Sequence, residues 1–265
     1  MTKIKVFEKP KLKNPILIEG LPGVGNIGRV AAGYLIEELG AKKFAQLYSK
    51  HFFPFVMLHE NYQTHLLKNE FYYWKAKKKG QRDLIFLIGD CQSLSTQGHY
   101  EIIEVILDFI GGFGVKEMIT IGGLATGEIE EDTPTVYGAV SDKELVKKYA
   151  KLGIDFSAGE RVGYIVGASG LFLGLGKERG MKGICMLGET SGFPIVTDPK
   201  AAEAVLDILN KILKIRVDMS KLEGRVNEME KFIKKVEALQ KKAIMQMSSD
   251  EKGQPEAKEQ LRYIG

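Results

Sequence analysis

The apolar positions of this chain fall into strand-length runs and helically spaced stripes. DLIFLIGD (83–90) is a continuous apolar run of strand length that suits a sheet covered on both faces, and PILIEG (15–20), KEMITIGGLATG (116–127) and MKGICMLGET (181–190) read as further strands, the last two buried. VYGAV (136–140) reads as another strand, and KFAQLYSKHFFPFVML (43–58) as strands on either side of Pro54. HLLKNEFYYWKAKKKG (65–80) carries one or two more strands and ends in a turn. Elsewhere the apolar residues step at helical spacing. Val30, Tyr34, Leu35, Ile36 and Leu39 mark a helix that Gly40 is suited to end. YEIIEVILDFIGGFG (100–114) is amphipathic and stopped by glycines. SDKELVKKYAKLG (141–153) opens with Ser141 and has Glu144 three residues later, a capping-box signal. GYIVGASGLFLGLGKERG (163–180) reads as a strand and a closely packed helix. Pro199 opens AAEAVLDILNKILKI, with Asp198 or Thr197 as its cap. The alternation of strand and helix predicts one α/β domain over residues 1–215, with a predominantly parallel sheet flanked by helices.

After Arg216 the pattern changes. Met219, Leu222, Val226, Met229, Ile233, Val236, Gln240, Ala243 and Met247 step by three and four without a break, with mostly Lys and Glu between them. This is a heptad seam, polar only at Gln240, on a long helix over residues 216–247. Such a stripe needs a partner. The 199–216 helix, the core domain, or the same helix of another subunit would each serve. Residues 248–265 then turn to Ser, Asp, Glu, Lys, Gly, Gln and Pro, which is linker chemistry for a flexible tail. Yet this stretch finishes on QLRYIG, which places Leu261, Tyr263 and Ile264 beyond a segment too polar to pack a core.

Composition narrows the function classes. The chain has 265 residues, 44% hydrophobic and 27% charged, and a net charge of +4 from 38 basic and 34 acidic side chains. That small, scattered excess does not suggest nucleic acid as a partner. KAKKKGQR (75–82) is locally basic but reads as a solvated turn. No apolar stretch is long enough to span a membrane, and the charged N-terminus lacks a signal region. Cys91 and Cys185 lie far apart in apolar surroundings, as expected of buried free thiols in a cytoplasmic protein.

Candidate chemistry is sparse. Gly23, Gly25 and Gly28 form GxGxxG between a strand and a helix, but no acidic residue follows at the end of the next strand to hold a ribose. The loop therefore reads first as a tight turn. GASGL (167–171) resembles a nucleophile elbow at Ser169 but has leucine at the last position. GDCQSLSTQG (89–98) and GETSG (188–192) suit either a phosphate or hydroxyl-closed turns. His51, His59, His65 and His99 show no metal-ligand spacing. The expectation is a chain without cofactor, metal or enzymatic activity. The competing reading is a small-molecule enzyme that uses the glycine loops.

Several of these segments occur together in a known family. ILIEGLPGVGNIGRVAAGYLIEELGAKKFAQLYS, DLIFLIGD, VKEMITIGGLATG and GLFLGLGKERGMKGICMLGETSG resemble the PAC2 family of proteasome assembly chaperones, and its archaeal members most of all. The resemblance spans residues 10–215. It implies a core similar to nucleoside phosphorylases, homo-oligomers, and ATP-independent scaffolding of the proteasome core particle by binding α subunits or the α-ring. It also implies a C-terminal docking segment, here Leu261, Arg262, Tyr263, Ile264 and Gly265. Activator tails place tyrosine next to last, whereas Tyr263 is third from the end and follows Arg262. A proteasome activator-like binding protein is the neighbouring alternative. Several weak tails on one oligomer would bind through avidity.

Overall fold

Residues such as Leu17, Ile18, Ile85 and Phe86, fully buried in successive strands, build a sheet that is covered on both sides. A computed structural model describes residues 1–59, 62–127, 133–161, 163–192 and 197–250, without the side chains of 160, 161, 225, 228, 230, 232, 233 and 246–250. In chain order the elements are β1 (Lys3–Val6), β2 (Ile16–Gly20), α1 (Ile27–Leu39), β3 (Lys42–Tyr48), β4 (Val56–Leu58), β5 (Thr64–Leu66), β6 (Asn69–Trp74) and β7 (Leu84–Gly89). They continue as α2 (Thr96–Gly111), β8 (Glu117–Ala125), β9 (Val136–Val140), α3 (Glu144–Ala150), α4 (Ala158–Arg161), α5 (Ala168–Glu178), β10 (Lys182–Thr190), α6 (Pro199–Leu213) and α7 (Leu222–Asp250).

The main sheet has eight strands in the order β1-β3-β6-β7-β2-β8-β10-β9, and β4 and β5 form a separate hairpin. Its centre is parallel: β7, β2, β8 and β10 all run the same way. The wings are antiparallel, through β1–β3, β3–β6, β6–β7 and β9–β10. The expected predominantly parallel sheet thus becomes a mixed one. Between β6 and β7 the chain makes only a turn, which suits antiparallel neighbours, while α2 carries β7 over to β8 as a parallel crossover. From β2 the chain leaves toward β3 on one side, and β7 crosses to β8 on the other, so the strand order reverses at β2.

Two apolar layers cover the sheet. Ile16 and Ile18 face α1 and α6, while Leu17 and Leu21 face α2 and α5. The alternation follows from the two-residue period of a strand. Helix ends are chemically marked. Gly40 takes φ 64° past α1, Ser95 caps α2 by accepting from Gly98 N, and Asp198 caps α6 by accepting from Ala201 N. The capping box at Ser141 does not form. Its Oγ accepts from Gly183 N at 3.0 Å and donates to Asp142, so pairing with β10 takes the hydroxyl that would have capped α3. Residues 163–167 form no strand; Gly167, at φ 87°, leads straight into α5.

α7 contributes to both layers. Leu222 and Val226 join the cluster containing α1 and α6, and Val236 joins the one containing α2 and α5. The helix therefore crosses from one side of the sheet to the other. At its start, the Tyr34 hydroxyl donates to the Asp218 carbonyl.

Candidate functional site

The glycine loop lies at the carboxyl end of β2, where the strand order reverses. Open α/β sheets hold ligands at such a position. Here the loop packs against the chain itself. A Cβ on Gly28 would stand 2.4 Å from the Ile121 carbonyl oxygen, so glycine is needed for α1 to approach β8 this closely. Gly25 takes φ 64°, and its carbonyl accepts from Asp198 N at 2.9 Å. Asn26, buried and left-handed at φ 50°, donates from Nδ2 to Glu237 Oε1 of α7 at 2.8 Å. The long helix thus reaches the loop directly.

The other two candidate loops are hydrogen-bonded within themselves or to neighbouring segments of the chain. In GDCQSLSTQG, Ser93 Oγ donates to Ser95 O at 3.1 Å, and Gln92 donates to Pro22 O at 2.7 Å while accepting from Ala168 N at 2.9 Å. In GETSG, Thr190 O accepts from Thr126 N at 3.0 Å. Ser169 sits in the first turn of α5, buried, with its carbonyl accepting from Thr120 Oγ1 at 3.0 Å. Thr120 and Ser169 also bond the Cys185 thiol, which burial pushes up to about 12.

Glu19 was not legible as special in the sequence, although a lone acid inside PILIEG is the one irregular feature of that run. It is 1% exposed, and Oε1 accepts from Leu21 N at 2.9 Å. Burial raises its pKa from 4.5 to about 8, against hydrogen bonds from the Leu21 and Ile121 backbone. It faces the same layer as Thr120 and Cys185, which are its neighbours across β8 and β10.

A second polar group lies between α1 and β6–β7. Arg29 Nε donates to Gly89 O at 3.2 Å, and desolvation lowers its pKa against the fields of Asp90, Tyr72, Glu70 and Glu37. Burial works to raise Glu70, but Lys68, Gln46 and Lys43 hold it down to about 2. Asp90 is raised by burial and meets His65 Nε2 at 3.3 Å. His59 contacts His65, and His51 pairs with Glu101 at 2.9 Å. Among the described residues no group of three or more His, Cys, Asp or Glu side chains is placed to hold a metal ion.

The seam residues have distinct surroundings. Leu222, Val226 and Val236 are each 3% exposed. Met219 and Ala243 are partly buried against the two clusters. Met229 lies over α1, where a Cβ on Gly33 would come within 2.7 Å of its Cε. The Ile233 side chain lies outside the described residues, as do Leu261, Arg262, Tyr263, Ile264 and Gly265. Lys235 Nζ donates to Leu58 O in the β4–β5 hairpin at 2.8 Å.

The profile of the PAC2 family matches residues 17–237, which carries the match into α7. The chain belongs to this family. It is 38% identical over 261 residues to the uncharacterized protein MJ1210 of Methanocaldococcus jannaschii, covering 98% of this chain and 96% of that one. It is similar to the crystal structure of Pyrococcus furiosus PbaB, an archaeal proteasome activator, at 45% identity and TM-score 0.80, covering 89% of this chain and 98% of PbaB. Pyrococcus furiosus PbaA, an archaeal homolog of proteasome-assembly chaperone, is 27% identical with TM-score 0.73, over 92% of this chain and 99% of PbaA.

Proposed function

We propose that this PAC2-family chain is an ATP-independent chaperone or scaffold for assembly of the proteasome core particle. It acts as a cytoplasmic homo-oligomer and binds α subunits or the α-ring noncovalently through Leu261, Arg262, Tyr263, Ile264 and Gly265. The observation that carries the reading is its near full-length similarity to PbaB and PbaA, both described in proteasome terms. The architecture supports it. The carboxyl ends of the central strands, where small-molecule sites of open sheets lie, meet α7 through the Asn26–Glu237 bond. α7 has 29 residues, a span of roughly 43 Å at 1.5 Å per residue, and packs on the core through Leu222, Val226 and Val236, which supports a helix that carries the segment beyond it.

The test compares the full chain with one ending at Asp250 for binding to an immobilised α-ring. The shortened chain should keep its melting temperature and oligomeric state and lose binding at least about tenfold, as expected when several weak tails act together. Equal binding by both chains would refute docking through this segment. The similarity to PbaB favours a second reading, that of an activator of the finished particle. Under that reading, adding the chain to mature particles raises peptide hydrolysis. Under the first, it speeds the appearance of core particles from separate subunits and leaves finished ones unchanged.

A further inference from the structure

The β4–β5 hairpin stands apart from the main sheet and turns apolar side chains outward. Val56, Leu58 and Leu66 are 47%, 55% and 58% exposed, while Met57 between them is buried. Val56 pairs with Leu66 across the hairpin, so the outward residues share one face. Leu66 also lines a cleft of about 260 Å³ floored by the buried Phe52, Phe53 and Leu67, with Phe55 half-buried beside them. Lys3 and Lys50, both exposed, stand at its rim. Glu101, which hydrogen-bonds the neighbouring β1 residue Thr2, is already engaged: it accepts from Thr2 Oγ1 at 2.6 Å and meets His51. Lys50 stands in the field of Glu101, and among the described residues neither rim lysine comes within 4.0 Å of a carboxylate oxygen.

We propose that this cleft and the outer face of the hairpin form a docking surface for an acidic segment of another protein. One large apolar side chain of that segment enters the cleft, and its carboxylates meet Lys3 and Lys50. The volume accepts a single bulky side chain and falls short of the roughly 300–1,000 Å³ of small-molecule pockets. Charge selects the occupant. A second copy presenting the same face would set lysine against lysine, which disfavours an isologous pair. An anionic membrane is recognised by clusters of about four to eight basic residues, against Lys3 and Lys50 at the cleft and Lys235 on the hairpin here, and a concave cleft gives it little to bury. The surface is built from β1, the segment that links β3 to β4, and the β4–β5 hairpin, and it uses none of the residues proposed for C-terminal docking.

The probe is a capped, fluorescently labelled hexapeptide, DEFLDE, titrated into the full chain and followed by anisotropy. The labelled peptide should bind, and raising the salt should weaken it. Binding should fall about fivefold or more in the Lys3→Glu/Lys50→Glu double variant, because two attractions become repulsions. Leu66→Ser should weaken it as well, while DEAADE and KKFLKK should bind poorly. The lysine variants alter only exposed side chains and decide the matter even if Leu66→Ser destabilises the hairpin. Equal binding of KKFLKK, or an unchanged double variant, would overturn the proposal. So would a change in oligomeric state caused by Leu66→Ser, which would assign the face to a second copy. Capture by phosphatidylserine vesicles that is lost in the lysine variant would assign it to a membrane.

Discussion

Replacing Glu19 with glutamine should change how the stability of this chain depends on pH. In the folded chain the carboxyl titrates at about 8, and in the unfolded chain near its ordinary 4.5. Because the folded value is the higher one, the native state keeps a proton that the unfolded state has lost throughout this interval. The stabilisation is fully present below 4.5 and is lost as pH rises through 8. Each unit in the interval removes about 1.4 kcal/mol, so the whole span corresponds to about 5 kcal/mol. That is comparable to the roughly 5–15 kcal/mol by which a typical domain is stable. Glutamine cannot ionise. Its amide oxygen can still accept from Leu21 N, and its nitrogen replaces Oε2, which has no hydrogen-bond partner among the described residues. At pH 5 the two proteins should therefore unfold at similar urea concentrations, and near pH 8.5 the Glu19→Gln variant should be the more stable by several kcal/mol. Urea unfolding followed by circular dichroism at five pH values measures the difference directly, and titrations common to both proteins cancel. A difference that stays flat from pH 5 to 8.5 would show that Glu19 is not held protonated, and the reasoning from its burial would fail.

Asn26→Ala should cost roughly 2–4 kcal/mol, through loss of the bond to Glu237 and left-handed strain in alanine. Asn26→Gly removes only the bond and should be milder; both should raise hydrogen exchange in α7, and equal unfolding of the two variants would count against the strain. Leu222→Ala should lower stability by roughly 2–5 kcal/mol, since it empties a site in the folded core. That loss should be the same at micromolar and tenfold higher protein concentration, whereas a concentration-dependent loss would mean that Leu222 is buried between subunits.

What sequence alone determined here was local. Strand length and dense hydrophobicity identify Ile16–Gly20, Leu84–Gly89, Glu117–Ala125 and Lys182–Thr190, because a strand buried on both faces has few polar positions. Gly40 and the Asp198–Pro199 pair mark helix ends through conformational preferences that belong to those residues themselves. The shared segments around the glycine loop identify the family by the same local means. Tertiary structure decided whatever depends on a distant partner. Helical spacing shows that Leu222, Val226 and Val236 share a face, but only packing shows that this face spans two layers of its own core. Ser141 reads as a cap until pairing with Gly183 claims its hydroxyl. Glu19 is an ordinary acid in PILIEG, and its proton is set by neighbours on strands about a hundred residues away. The cleft beside the β4–β5 hairpin exists only because β1, the segment linking β3 to β4, and the hairpin converge, bringing Lys3, Lys50 and Leu66 together. Periodicity records which side of an element is apolar; the direction of each strand and the identity of each buried neighbour come from how the whole chain closes.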